Sequence, residues 1–119
     1  LSIRRQRQMC IRDRSNSNIW VTPQAIGALI QHVLRETPGI CGLAAAGHNT
    51  MLTSKTDLPQ AIVMTKEPQG LIFEVFVIMK RGSPLEALTK EFAERLRTEL
   101  AHALEQPVAE VLIRIQAMH

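Results

Sequence analysis

The chain has 119 residues, 45% of them hydrophobic, with 14 Lys and Arg against 11 Asp and Glu and two cysteines. That length predicts one domain with a modest core, and the composition suits a soluble globular chain; so few cysteines exclude a disulfide framework or a zinc cluster. No apolar run reaches the roughly 18 residues of a membrane span and no secretory signal pattern opens the chain, so the expected compartment is the cytoplasm.

The first segment is unlike the rest. Arg4, Arg5, Arg7, Arg12 and Arg14 are five of the basic residues, and Asp13 is its single acid. Beyond residue 14 the balance is nine basic to ten acidic, a net charge of −1, so the basic character lives entirely in this segment. Arg4-Arg5-Gln6-Arg7-Gln8-Met9-Cys10-Ile11-Arg12-Asp13 resembles, residue for residue, a conceptual translation of the transposase adaptor used in sequencing-library preparation. Residues 1–14 are therefore expected to be a non-native scar, disordered and joined to a truncated gene, and residues 15–119 to be the single natural domain. The other reading is a disordered basic arm for nucleic acid. Without the segment, Cys41 is the one cysteine left.

Ser15 to Asn18 is a polar lead-in, and Ile19-Trp20-Val21 predicts a short edge strand. Thr22-Pro23 is a helix start signal, a capping hydroxyl and a proline at the first helical position. Ile26, Leu29, Ile30, Val33 and Leu34 form the apolar face of that helix, and Pro38-Gly39 ends it. Ile40 to Gly47 is small and glycine-bearing, a tight turn into a strand or a short helix. His48 to Gln60 predicts a polar surface loop. Ala61–Thr65 is a strand joined by the turn Lys66-Glu67-Pro68-Gln69-Gly70 to Leu71–Met79, an antiparallel hairpin.

The clearest signal is Leu71 to Gln116. Leu71–Met79 is too apolar and β-branched to be a loop. Ser83 is placed to cap the next helix, with Pro84 at its first position and Glu86 where a capping box takes an acid. Leu85, Leu88, Phe92, Leu96 and Leu100 recur at helical spacing, and Gln106-Pro107 stops the helix before the strand Val108–Gln116. Two strands joined by one long helix predict a parallel pair with a right-handed crossover.

The order β-α-β-β-α-β predicts an α+β fold, a two-layer sandwich with a mixed sheet and both helices on one face. Alternation puts Phe73, Val75, Val77 and Met79, with Val111, Ile113 and Ile115, toward the helices. The other face carries Ile72, Glu74, Phe76, Ile78 and Lys80 beside Glu110, Leu112, Arg114 and Gln116. Ile72, Phe76, Ile78 and Leu112 then form a candidate interaction surface rimmed by charge, unless the loop His48–Gln60 or the first strand folds over it.

Little points to catalysis. His32, His48, His102 and His119 show no pairwise metal spacing, and no Cys-x-x-Cys accompanies them, so no metal or cofactor is expected. Cys41 is a candidate thiol with His48 the nearest base in sequence, but a small buried packing residue is the simpler reading. Gly39-Ile40-Cys41-Gly42 has the spacing of the GXXG loop of KH RNA-binding domains, which makes Gly39 and Gly42 a weak candidate nucleic-acid loop; no Lys or Arg lies inside it. The acids Glu86, Glu91, Glu94 and Glu99 alternate with Lys90, Arg95 and Arg97 on a helix, which reads as a solvated face rather than an acid–base site. No catalytic residue is assigned.

A short strand, Thr-Pro-x-x-Ile opening a helix, Pro-Gly-Ile-x-Gly-Leu, a hairpin, an amphipathic helix and a closing Val-x-x-Val-x-Ile-x-Ile-Gln occur here in that order. The carrying residues are Ile19 to Ile26, Pro38 to Leu43, Phe73 to Met79 and Val108 to Gln116. This pattern resembles the alkaline shock protein family, also called the envelope stress response family of Gram-positive bacteria, from about Asn18 to Met118. The chain departs from it at Trp20 and at Lys80-Arg81-Gly82. The resemblance implies a small cytoplasmic, non-catalytic scaffold or regulatory protein that works by protein–protein interaction and self-association as a homo-oligomer. It implies as partners an integral membrane anchor protein, which would hold it at the inner membrane face, or acetyl-CoA carboxylase, which it would restrain.

Overall fold

The computed structural model describes residues 9–12, 18–21, 23–54 and 57–119, the first two stretches as backbone. Strand β1 is Met9–Arg12 and β2 is Asn18–Val21, paired antiparallel with each other in a sheet of their own. Helix α1 is Pro23–Arg35, β3 is Ile40–Leu43, a 3₁₀ turn spans Leu58–Ala61, β4 is Ile62–Glu67, β5 is Gly70–Met79, α2 is Leu85–Leu104 and β6 is Val108–Met118. The fold is α+β, with a mixed four-stranded main sheet.

Two expectations about the start of the chain are corrected. Met9–Arg12, expected to be disordered, pairs with Asn18–Val21, and the predicted first strand of the main sheet is the second strand of this separate sheet. A run of Met-Cys-Ile opposite Ile-Trp-Val carries its own strand propensity, so the two runs pair with each other. The remainder of residues 1–14, and Thr22 as a cap, lie outside the described residues. Pro23 does open α1.

Strand β5 is the axis of the main sheet. On one side β6 runs parallel to it along its length, from Leu71↔Val108 to Met79↔Met118. This is the predicted parallel pair, with α2 connecting the strands. On the other side two strands share β5 end to end. Strand β3 pairs antiparallel from Met79 to Val77, Ala44 N–H donates to the Phe76 carbonyl at 3.0 Å, and β4 resumes at Ile62↔Val75 and runs down to Glu67↔Gly70. Strands β3 and β4 are thus two halves of one edge, and residues 45–61 are an excursion that leaves the sheet at Ala44 and returns at Ile62.

The hairpin β4–β5 turns on Pro68 and Gln69, tighter than the predicted five-residue turn because pairing extends to Glu67 and Gly70. Gly70 has φ of +140°, and a Cβ there would come within 2.7 Å of the Pro107 carbonyl oxygen. That carbonyl accepts from Leu71 N–H at 3.0 Å, so the hairpin turn and the start of β6 are locked together.

Both helices lie over one face. The inner β5 residues Phe73, Val75, Val77 and Met79 are fully buried with Ile26, Ile30 and Val33 of α1 and Phe92, Leu96 and Leu100 of α2, in one cluster. The predicted periodicities of both helices are those of the buried faces. The start of α2 is corrected by one residue. Pro84, not Ser83, is the N-cap, and no side chain caps the helix. Ser83 N–H instead donates to the Lys80 carbonyl at 3.1 Å in the tight turn after β5, while Leu88 N–H closes the first helical bond on Pro84. Glu105, left-handed at φ 53°, ends the helix ahead of Gln106-Pro107.

The predicted polar loop His48–Gln60 is not wholly a surface feature. Leu58 and Pro59 are buried, and so is Ala61 just after it. A Cβ at Gly27 of α1 would approach the Leu58 Cβ at 3.0 Å, so the 3₁₀ turn packs directly on that helix. Three apolar residues in a polar stretch give no periodicity, so only the fold reveals their burial.

Candidate functional site

Among the described residues no helix lies over the outer sheet face. Its register is Ile72↔Glu110, Glu74↔Leu112 and Phe76↔Arg114 across β5 and β6, with Val63 and Thr65 of β4 opposite Glu74 and Ile72. Three of the four predicted surface residues, Ile72, Phe76 and Leu112, are half-buried there and share the face as predicted. Between them Arg114 Nε donates to Glu74 Oε2 at 2.7 Å, a diagonal pair with side-chain exposures of 52% and 30%. The pair fixes both long side chains flat on the sheet, at a contribution of about 0.2–1 kcal/mol for so open a bridge.

Ile78, the fourth predicted surface residue, is corrected. It is fully buried. Its neighbour across β3 is Gly42, and a Cβ on Gly42 would come within 2.3 Å of the Met51 sulfur, so Met51 lies over this end of the face. The returning segment is held down by the bridge Ala44↔Met51, by Leu52 N–H to the Leu43 carbonyl at 2.7 Å, and by Gly47 N–H to Gln116 Oε1 at 2.8 Å. The excursion therefore roofs the Ile78 end of the outer face and leaves the Ile72–Phe76–Leu112 end uncovered by it.

The GXXG reading is corrected as well. Gly42 sits inside β3, and Gly39 sits in the turn before it at φ +104°, where a Cβ would meet Leu88 Cδ1 at 2.3 Å. A phosphate-clamping loop needs its backbone open between two helices. Here the backbone of residues 40–43 is committed to β5 and both glycines exist for close packing.

Cys41 is half-buried in β3, and His48 is exposed on the excursion. His32, His102 and His119 are exposed, with His32 Nε2 3.6 Å from Glu36 Oε1 one turn on. Among the described residues no three His, Cys, Asp or Glu side chains are grouped to hold a metal ion. A groove of about 250 Å³ separates α1 from the excursion, floored by Ala28, Leu52 and Leu58 and rimmed by Gln31, His32 and Arg35. Its ionisable groups are exposed, so it offers no desolvated acid or base. No described helix is long and apolar enough to cross a membrane. Comparison with protein-family models, with curated proteins and with solved structures finds no match.

Sequence reasoning placed the outer-face residues by alternation alone. It named the loop His48–Gln60 as one alternative cover but not where that cover lands, because the Gly42–Met51 contact joins residues with no shared pattern. It also missed the Glu74–Arg114 pair, although opposite charges on one face of two predicted neighbour strands were there to be read.

Proposed function

We propose that the chain is a non-catalytic scaffold or regulatory protein of the envelope stress response type, acting by protein–protein contact and self-association. The observation that carries this reading is the end of the outer face where Ile72, Phe76 and Leu112 surround the Glu74–Arg114 pair, on a sheet whose two described helices pack on the other side. Half-buried apolar side chains around a fixed ion pair suit a docking surface, because the pair gives orientation and the apolar groups give affinity. The resemblance of Ile19 to Ile26, Pro38 to Leu43, Phe73 to Met79 and Val108 to Gln116 to the alkaline shock family supports the same reading, with a cytoplasmic setting and an integral membrane anchor protein as the partner that would recruit it.

Phe76→Glu is the informative substitution. Phe76 is half-buried and stands level with Arg114, so a carboxylate is tolerated in the folded chain. Light scattering on the wild type is expected to give a mass that grows with concentration beyond a dimer, and Phe76→Glu to abolish that growth with an unchanged circular dichroism spectrum. A mass that ignores the substitution refutes this surface.

A further inference from the structure

Among the described residues β6 is hydrogen-bonded on one side only. The strand runs Val108–Met118 with no Pro or Lys, and its two charges, Glu110 and Arg114, are of opposite sign. Its first carbonyl is occupied, since Arg97 Nε of α2 donates to Val108 O at 3.0 Å. Its far end is interrupted by the register shift at Val77/Ile78, beside the Gln116 side chain that holds Gly47. A second register shift, between Leu71 and Ile72, falls at Ala109, so the regular stretch with an open edge is residues 110–115.

The direction of its backbone follows from the pairing. Phe76 turns its carbonyl to Ala44, so the odd-numbered residues of β5 face β6. With Phe73 level with Val111 and Val75 level with Ile113, those residues meet the backbone of Glu110, Leu112 and Arg114. The N–H and C=O groups of Val111, Ile113 and Ile115 therefore point to the free edge.

We propose that this edge pairs with the same edge of a second copy, antiparallel and two-fold symmetric about Leu112. The inference rests on the self-association in the proposed function and names its geometry. A two-fold axis requires the strands to run antiparallel, and the outward backbone groups require odd residues to face odd. Charge then selects the register. Centred on Leu112, Glu110 stands opposite the partner's Arg114 and Arg114 opposite the partner's Glu110, with Leu112 facing itself. Centred one residue further on, Arg114 would face Leu112 and Glu110 would face Gln116, with no charge pair. Glu110 is exposed and has no ion pair among the described residues, while Arg114 engages Glu74 through Nε and keeps its terminal amino groups for a second carboxylate. These are non-hydrogen-bonded positions, where facing side chains come closest. On the inner side Val111 meets the partner's Ile113. The product is one sheet continuous through both chains, with the two outer faces side by side.

Sedimentation velocity on Glu110→Arg, Arg114→Glu and their equimolar mixture tests the pairing. Each variant alone opposes like charges and is expected to weaken dimerisation about tenfold or more, with circular dichroism unchanged for Glu110→Arg. In the mixture, a chain with arginine at both positions meets a chain with glutamate at both, every facing pair is again of opposite charge, and the dimer is expected to return. In a Cys10→Ser, Cys41→Ser background, Leu112→Cys is expected to give a covalent dimer on mild oxidation, because the facing Cα atoms lie within disulfide reach. A dimer indifferent to Glu110→Arg, a mixture that stays monomeric, or no covalent dimer overturns the edge pairing. The docking face fails separately: growth beyond the dimer that persists in Phe76→Glu refutes the face and leaves the edge standing, and a monomer throughout overturns both.

Discussion

The two faces of β5 come from one alternating stretch, yet they do different work. Inward, Phe73, Val75, Val77 and Met79 are fully buried under two helices. Outward, Ile72, Glu74 and Phe76 are half-buried on an open sheet, until Ile78 passes beneath the returning excursion and is as buried as any core residue. The difference teaches that alternation assigns a side chain to a face, while burial depends on what the rest of the chain lays over that face.

Ile78→Glu should break the comparison hardest. A carboxylate forced under Met51 and the 45–51 segment has no partner, and burial of an unpaired charge costs several kcal/mol, enough to unfold a domain of this size. Loss of the cooperative thermal transition by circular dichroism is the expected result. A variant as stable as Phe76→Glu would mean that the roof over Ile78 opens freely. Phe73→Ala, on the inner face, leaves a cavity between the helices and is expected to cost about 3–5 kcal/mol, measured by urea titration at constant slope. Phe76→Ala, three residues on but outward, should cost well under half as much in the same titration, and equal losses would erase the distinction between the faces.

Gly39→Ala sharpens a smaller point. The new methyl meets Leu88 Cδ1 at a left-handed position, so a loss of about 1–3 kcal/mol is expected, with the helix α2 amides losing exchange protection first. The smallest effect belongs to the outer-face ion pair. Arg114→Met should lower stability by no more than about 1 kcal/mol, and raising the salt to about 0.5 M should shrink the difference from wild type.

How far these contrasts could be read beforehand depends on the element. The unit β5–α2–β6 was legible because three local signals agree: a β-branched apolar run, a helix with a heptad-like leucine stripe and a proline stop. The parallel pairing then followed from the length of the crossover. The hairpin β4–β5 was legible from Pro68, Gln69 and Gly70 between two apolar runs. Helix α2 nevertheless begins a residue late, since the turn from Lys80 to Ser83 used the Ser83 amide and left Pro84 to start the helix. The candidate surface was legible for Ile72, Phe76 and Leu112, whose exposure depends only on having no helix outside. It failed for Ile78, whose burial depends on residues 45–51. Glycine spacing misled at Gly39 and Gly42, because close packing and phosphate clamping ask for the same absent side chain.

By itself, the order of residues determined the two amphipathic helices, the central strand and the side of the sheet each strand residue occupies. These are short-range consequences of periodicity and turn chemistry, repeated often enough to be unambiguous. Only the tertiary structure decided that β3 and β4 are halves of one edge, that Leu58, Pro59 and Ala61 belong to the interior, and that the outer face is roofed at Ile78 and open at Phe76. Each of those outcomes depends on where residues 45–61 return to the sheet, and a segment without periodicity carries no local mark of the surface it will land on.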